Sequence, residues 1–251
     1  MINIDTVYQK VLTFASKEQR GYITPQEFNL LANQAQMEIF EQYFYDYNQF
    51  QRVAGNDTVY ADVDDILEEK IQIFETSDSE ADIALYPQAS QNPNLKELPD
   101  YIYRIEAVYT NMPGPNGKRV KCEILNTKDF EDARNGGYLT RPNSERPVFN
   151  YRDGVMRTVG AASDPSAFFG LILPTEIFYI RKPNTVNWGY FVVSGKALYN
   201  ASASVSFELH PAEETELVYK ILKYAGVSMQ RGDIMKAGQG METLQVQQEK
   251  Q

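Results

Sequence analysis

Ile4, Val7, Tyr8, Val11, Leu12 and Phe14 recur at steps of three and four residues. That spacing puts apolar side chains on one helical face, so an amphipathic helix is predicted over 4–14. Gly21 breaks the run, and Thr24-Pro25-Gln26-Glu27 then forms a capping box with proline in the first helical position. Phe28, Leu31, Ala32, Ala35, Ile39, Phe40, Tyr43, Phe44 and Tyr47 extend this second helix to about Gln51, short of Gly55. A short acidic helix is predicted over 62–70.

Beyond Thr76 the texture changes to short β-rich runs separated by Pro, Gly and Asn. Strands are predicted over 101–109, 119–125, 148–151, 155–159, 171–181, 190–193 and 203–209, with a hairpin turn at Arg152-Asp153-Gly154. One helix over 127–134, stopped by Gly136-Gly137, interrupts them. Helix returns at Pro211. Glu213, Glu214 and Glu216 fill its first turn and Lys220 and Lys223 follow, as the macrodipole favours. Leu217, Val218, Ile221, Leu222 and Ala225 make its apolar stripe, and Gly226 is the expected C-cap.

The pattern therefore predicts an α+β protein in which N- and C-terminal helices (1–76 and 211–237) form a bundle. An antiparallel, sandwich-like β insertion spans 77–210, and residues 238–251 form an extended or disordered tail too polar for a core of its own.

Composition narrows the function classes. Of 251 residues, 43% are hydrophobic, enough for a sizeable core, and the formal net charge of −10 disfavours bulk nucleic-acid binding. The acidity sits at the front: residues 1–100 hold 18 acids against 6 bases, residues 101–251 hold 16 against 18. A single cysteine, Cys122, excludes an intramolecular disulfide and a cysteine-rich zinc site. Asp5 stands where a secretory signal would carry a base, and the longest apolar stretch, 167–173, is far too short to span a membrane. A soluble protein without a signal peptide is the expectation.

Catalytic motifs are weak. His210 is the lone imidazole and precedes Pro211 at a predicted helix start, so it reads as a capping or packing residue, and no G-x-S-x-G elbow accompanies it. Gly114-Pro115-Asn116-Gly117-Lys118 fails as a phosphate loop, with Met112 at the first glycine position and Arg119 at the hydroxyl position. The alternating acids of 78–82 fail as a calcium loop, since Ile83 and Ala89 occupy the required glycine and acid positions. Arg141, Arg146, Arg152 and Arg157 read as scattered surface arginines. No cofactor, metal or catalytic residue is predicted.

The aromatic run from Phe40 to Phe50 is different in kind. A stripe of about 100° cannot hold all of its rings, so either the β insertion covers the second face or Phe44, Tyr47 and Phe50 meet another subunit. Asp62, Asp64, Asp65, Glu68 and Glu69 form the densest acidic cluster, read either as a solvated surface or as a wall that repels nucleic acid.

Residues 173–183, the Asn187-Trp188-Gly189-Tyr190 segment, residues 206–226 and the N-terminal helix pair with its Thr24 box together carry a resemblance. The chain resembles virion structural proteins of tailed bacteriophages, crAss-like and related podoviruses in particular. The resemblance implies a non-enzymatic head-to-tail connector, adaptor or ring protein, assembled in the host bacterial cytoplasm into the virion neck or tail. It implies a closed, dodecameric ring of the chain itself, contacting the portal and adjacent neck or tail rings. Genome DNA would pass through without specific binding, and no membrane is involved. On this reading Asp62, Asp64, Asp65, Glu68 and Glu69 line the channel, and Leu244 and Val246 anchor an extended tail on the portal or a neighbouring ring. The alternatives are a tail-tube or tail-hub component, or a phage hydrolase or glycan-binding module.

Overall fold

A computed structural model describes residues 1–16, 23–52, 61–89, 95–111, 118–137, 141–160, 170–228, 239–241 and 243–244. In chain order the elements are α1 (Ile4–Ser16), α2 (Pro25–Arg52), α3 (Ala61–Gln72), β1 (Glu75–Ser79), α4 (Glu80–Leu85), β2 (Lys96–Glu97), β3 (Ile102–Asn111), β4 (Arg119–Lys121) and β5 (Glu123–Ile124). There follow α5 (Thr127–Asn135), β6 (Val148–Arg152), β7 (Val155–Gly160), β8 (Gly170–Ile172), β9 (Glu176–Arg181), β10 (Tyr190–Val193), β11 (Lys196–Tyr199) and α6 (Glu214–Ser228). The protein is α+β, with α1 and α2 contacting α6 and the sheets inserted between them in sequence.

The chain divides into two compact units, 1–73 with 183–251, and 74–182. The expected insertion ran on to 210, so residues 183–210 join the helices instead. Hydrogen bonding to α2 explains why. Asn29, Asn33 and Gln36 lie on one helical face (i, i+4, i+7) beside the apolar stripe of Phe28, Ala32, Ala35 and Ile39. Asn33 donates to the Val186 carbonyl (2.9 Å) and accepts from the Val186 N–H (2.9 Å). Asn29 accepts from the Trp188 N–H (2.7 Å), and Gln36 donates to the Asn184 carbonyl (2.8 Å) and accepts from the Glu208 N–H (3.4 Å). Side-chain amides thus satisfy alternate residues of an extended segment as a neighbouring strand would.

The core of this unit combines Ile4, Val7 and Val11 of α1 with the α2 stripe and Leu217, Ile221 and Ala225 of α6, all buried. Tyr8 packs its ring 4.7 Å from Phe28 and 4.4 Å from Trp188, whose indole N–H donates to Asp5 (2.9 Å). The Thr24 box forms as predicted: Glu27 accepts from the Thr24 N–H (2.9 Å) and hydroxyl (2.8 Å). These bonds hold the Glu27 carboxyl below the usual carboxylate range, the backbone N–H most strongly.

Two expectations need correction here. Residues 203–209 form no strand, because Val205 bridges Asn187 and Phe207 bridges Ile2, two separate partners instead of one continuous edge. Helix α6 runs through Gly226, which is buried, to Ser228. Glu213 and Glu216 lie in the first turns at this helix start, as the macrodipole favours, and the structure adds their burial. Both are buried, Glu213 against Lys70 (2.5 Å) and Glu216 against Lys220 (3.4 Å), which also reaches Glu38 (3.1 Å). Tyr224 donates to Glu38 and extends this buried polar layer.

In the second unit an antiparallel sheet runs β1-β9-β3-β4, and a second sheet runs β2-β7-β6-β5, with β8 sharing the β2 edge of β7. Every pairing is antiparallel except β5 with β6. Val108, Ile177 and Tyr179 from the first sheet meet Phe149 and Met156 from the second in one buried cluster, with Ile83 and Cys122. The predicted Asp153-Gly154 turn is present, with φ of 53° and 76° as a two-residue type I′ hairpin needs. The run predicted as one strand over 119–125 breaks at Cys122, and the one over 171–181 breaks around Pro174. Strand β1 and helix α4 were not predicted.

Candidate functional site

The hairpin β10–β11 of the helical unit is a two-stranded sheet, with no third strand among the described residues. Ser194 (φ 50°) and Gly195 (φ 77°) make its turn, and the register pairs Tyr190 with Tyr199, Phe191 with Leu198, Val192 with Ala197 and Val193 with Lys196. Side chains alternate between faces. Tyr190 and Tyr199 lean on Trp188, with ring centroids 5.9 and 5.8 Å away, which anchors the base of the inner face, while Val192 nearer the turn on that face is 64% exposed. Gly189 makes the close approach possible, because a Cβ there would lie 2.7 Å from the Ala203 backbone. The outer face then presents Phe191, Val193 and Leu198, 48%, 48% and 45% exposed, with Lys196 beside them. Two-stranded hairpins are marginal alone, and clustered exposed apolar side chains mark interaction surfaces.

The predicted interface aromatics are divided. Phe40 and Tyr43 are buried, Phe44 and Tyr47 are half-buried, and Phe44 meets Phe40 edge-on at 5.0 Å. Among the described side chains of this run, Tyr45 is the outward ring, at 60% exposed. The Phe50 side chain lies outside the described residues. In α3, Asp65, Glu68 and Glu69 are exposed, and the side chains of Asp62 and Asp64 lie outside the described residues. Exposed Ile66 stands among these acids, and exposed Ile73 lies one residue past the helix end.

In the tail, Gln239, Gly240, Met241, Thr243 and Leu244 are helical where an extended or disordered segment was expected. Thr243 donates back to the Gln239 carbonyl (2.8 Å), and Met, Glu, Leu and Gln are good helix formers. Leu244 is exposed, and Val246 lies outside the described residues.

The arginines serve local contacts. Arg146 binds Glu123 through two nitrogens (3.0 and 3.1 Å), Arg152 pairs with Asp153 (3.2 Å), Arg157 approaches Glu131 (3.9 Å) and Arg141 donates to the Gly136 carbonyl (2.7 Å). His210 caps the turn at Pro211–Glu213, its Nδ1 accepting from the Ala212 N–H (3.3 Å). The glycine-rich segment ending at Lys118 lies outside the described residues up to Gly117.

Two sites carry concentrated polar chemistry in the second unit. Asp78 accepts hydroxyl protons from Tyr86 (2.5 Å), Tyr101 (3.1 Å) and Tyr179 (3.0 Å). Burial is the first cause pushing all three phenols above their ordinary value, and the Asp78 charge adds to it. The neighbouring Asp82 serves a second capping box, held below the usual carboxylate range by the Ser79 hydroxyl. Elsewhere an open cleft of about 520 Å³ is lined by Glu106, Lys121, Cys122, Glu123, Ile124, Glu145, Arg146 and Pro147. Its three carboxylates are exposed, and Glu123 is tied to Arg146. A general acid is normally raised in pKa by an apolar, buried setting, which none of them has.

No known family model matches the chain, and comparison with curated proteins finds no significantly similar sequence.

Proposed function

We propose that this chain is a non-enzymatic structural protein of a tailed-phage virion, a head-to-tail connector that closes into a ring beneath the portal and continues the DNA channel. The observation that supports this reading best is the outer face of the β10–β11 hairpin. Phe191, Val193 and Leu198 are exposed to solvent on the face opposite the Tyr190 and Tyr199 rings that pack on Trp188. An apolar arm whose backbone is already paired as a hairpin has less conformational entropy to lose on docking than an extended segment, which suits repeated subunit contacts. The resemblance in residues 173–183, 187–190 and 206–226 supplies the phage context. Electron microscopy of the full-length chain mixed with portal tests it: closed rings coaxial with the portal are expected, and a chain that stays single and leaves the portal bare would overturn it.

A further inference from the structure

The hairpin needs a receiving surface, and the helical unit carries one of matching character. On α3, Leu67 and Ile71 face inward and are buried, whereas Ile66 (51% exposed), Glu69 and, just past the helix end, Ile73 (37% exposed) fall on one outward stripe at steps of three and four. The hairpin's outer face offers Phe191, Val193 and Leu198 around Lys196. The α3 surface sets two isoleucines beside the exposed carboxylates of Asp65 and Glu69, and the hairpin surface is apolar with an ammonium at its edge. Neither Glu69 nor Lys196 forms an ion pair among the described residues. Both surfaces belong to the same compact unit and both are exposed, so they do not cover each other within one chain.

We infer that the β10–β11 hairpin of one copy docks on the Ile66–Glu69–Ile73 face of α3 in a second copy. The inference rests on the ring reading above and names the contact that closes the ring. Two different patches that complement each other make a heterologous contact, the kind that propagates round a closed ring. Apolar side chains supply the affinity, and the Lys196–Glu69 pair fixes register and excludes like-charged approaches. This contact takes Glu69 out of the channel wall. Glu68, one residue back and about 100° round the helix, remains on a different face.

The test mixes full-length chain carrying Lys196→Cys with full-length chain carrying Glu69→Cys under mild oxidation. Both positions are exposed, so the fold tolerates them, and buried Cys122 contributes no background. A covalent dimer that needs both variants is expected. In parallel, Lys196→Glu and Glu69→Lys should each weaken self-association about tenfold, and the two combined in one chain should restore it. Cross-linking mainly between two Lys196→Cys chains would show symmetric hairpin pairing and overturn the inference. Absence of the mixed dimer while the wild-type chain closes rings with portal would place the contact elsewhere and leave the ring reading standing. Absence of both would defeat the two together.

Discussion

Asn33 grips Val186 from 153 residues away with two hydrogen bonds of 2.9 Å, one given and one received. A side-chain amide has the donor and acceptor spacing of a peptide group, so a helix carrying Asn29, Asn33 and Gln36 on one face can finish the pairing of an extended segment. This ladder ties residues 183–210 to the helices and so fixes where the hairpin emerges.

Replacing Asn33 by Ala leaves the N–H and carbonyl of buried Val186 without these partners, at a cost of about 2 to 3 kcal/mol. Asn33→Asp keeps the acceptor but sets a negative charge against the Val186 carbonyl at neutral pH. Its deficit should shrink as the pH falls toward about 4, where the acid regains a proton to donate. Urea denaturation at both pH values measures this, and equal deficits would contradict it.

Lys220 and Lys10 predict opposite outcomes for one chemical change. Lys220 is 3% exposed and contacts Glu216, itself 3% exposed, so Lys220→Met leaves a buried carboxylate deprived of this cation and should cost about 3 kcal/mol or more. Lys10 pairs with Glu214 at the surface, and Lys10→Met should cost less than about 1 kcal/mol. Thermal melting of the two variants side by side checks the ranking.

Much of the helical framework is legible in the sequence because its signals are local. The Thr24 box, the periodicity of α1, α2 and α3, the α5 helix and the Asp153-Gly154 turn each need only a few neighbouring residues. The polar ladder was missed because Asn29, Asn33 and Gln36 look like an ordinary wet helix face until the distant partner is known. The strand expected over 203–209 failed for a related reason, since alternation shows that a segment is extended but not whether one edge is there to receive it. At the candidate site, residues 190–193 were read as a strand. The exposure of its outer face is not legible in the sequence, because nothing local reveals that no third strand among the described residues pairs with this hairpin.

The Asp78 cluster predicts alkaline unfolding. Tyr86, Tyr101 and Tyr179 have folded pKa values raised above the unfolded value near 10, so their contribution is intact below about pH 10 and is lost as the pH rises above it. Their phenolate absorbance should therefore appear together with loss of ellipticity, whereas ionisation of these three in a chain that stays folded would contradict the geometry. At neutral pH, Tyr86→Phe removes one donor to the Asp78 carboxylate and should cost about 1.5 kcal/mol.

Cys122 should be silent in the native state. It is buried in the sheet core, and burial pushes its thiol up to about 12, so little thiolate exists at neutral pH and reagent access is poor. A thiol reagent should label it only at the rate of unfolding, and prompt labelling of the folded chain would show that the core around Phe149 and Met156 opens readily.

Ring assembly is read out by the mass and shape of the complex that the full-length chain forms with portal. Closed rings on the portal axis are expected, abolished by Phe191→Asp while the melting of the isolated chain is nearly unchanged. Single copies without self-contacts, or rings that form equally well with Phe191→Asp, would contradict it.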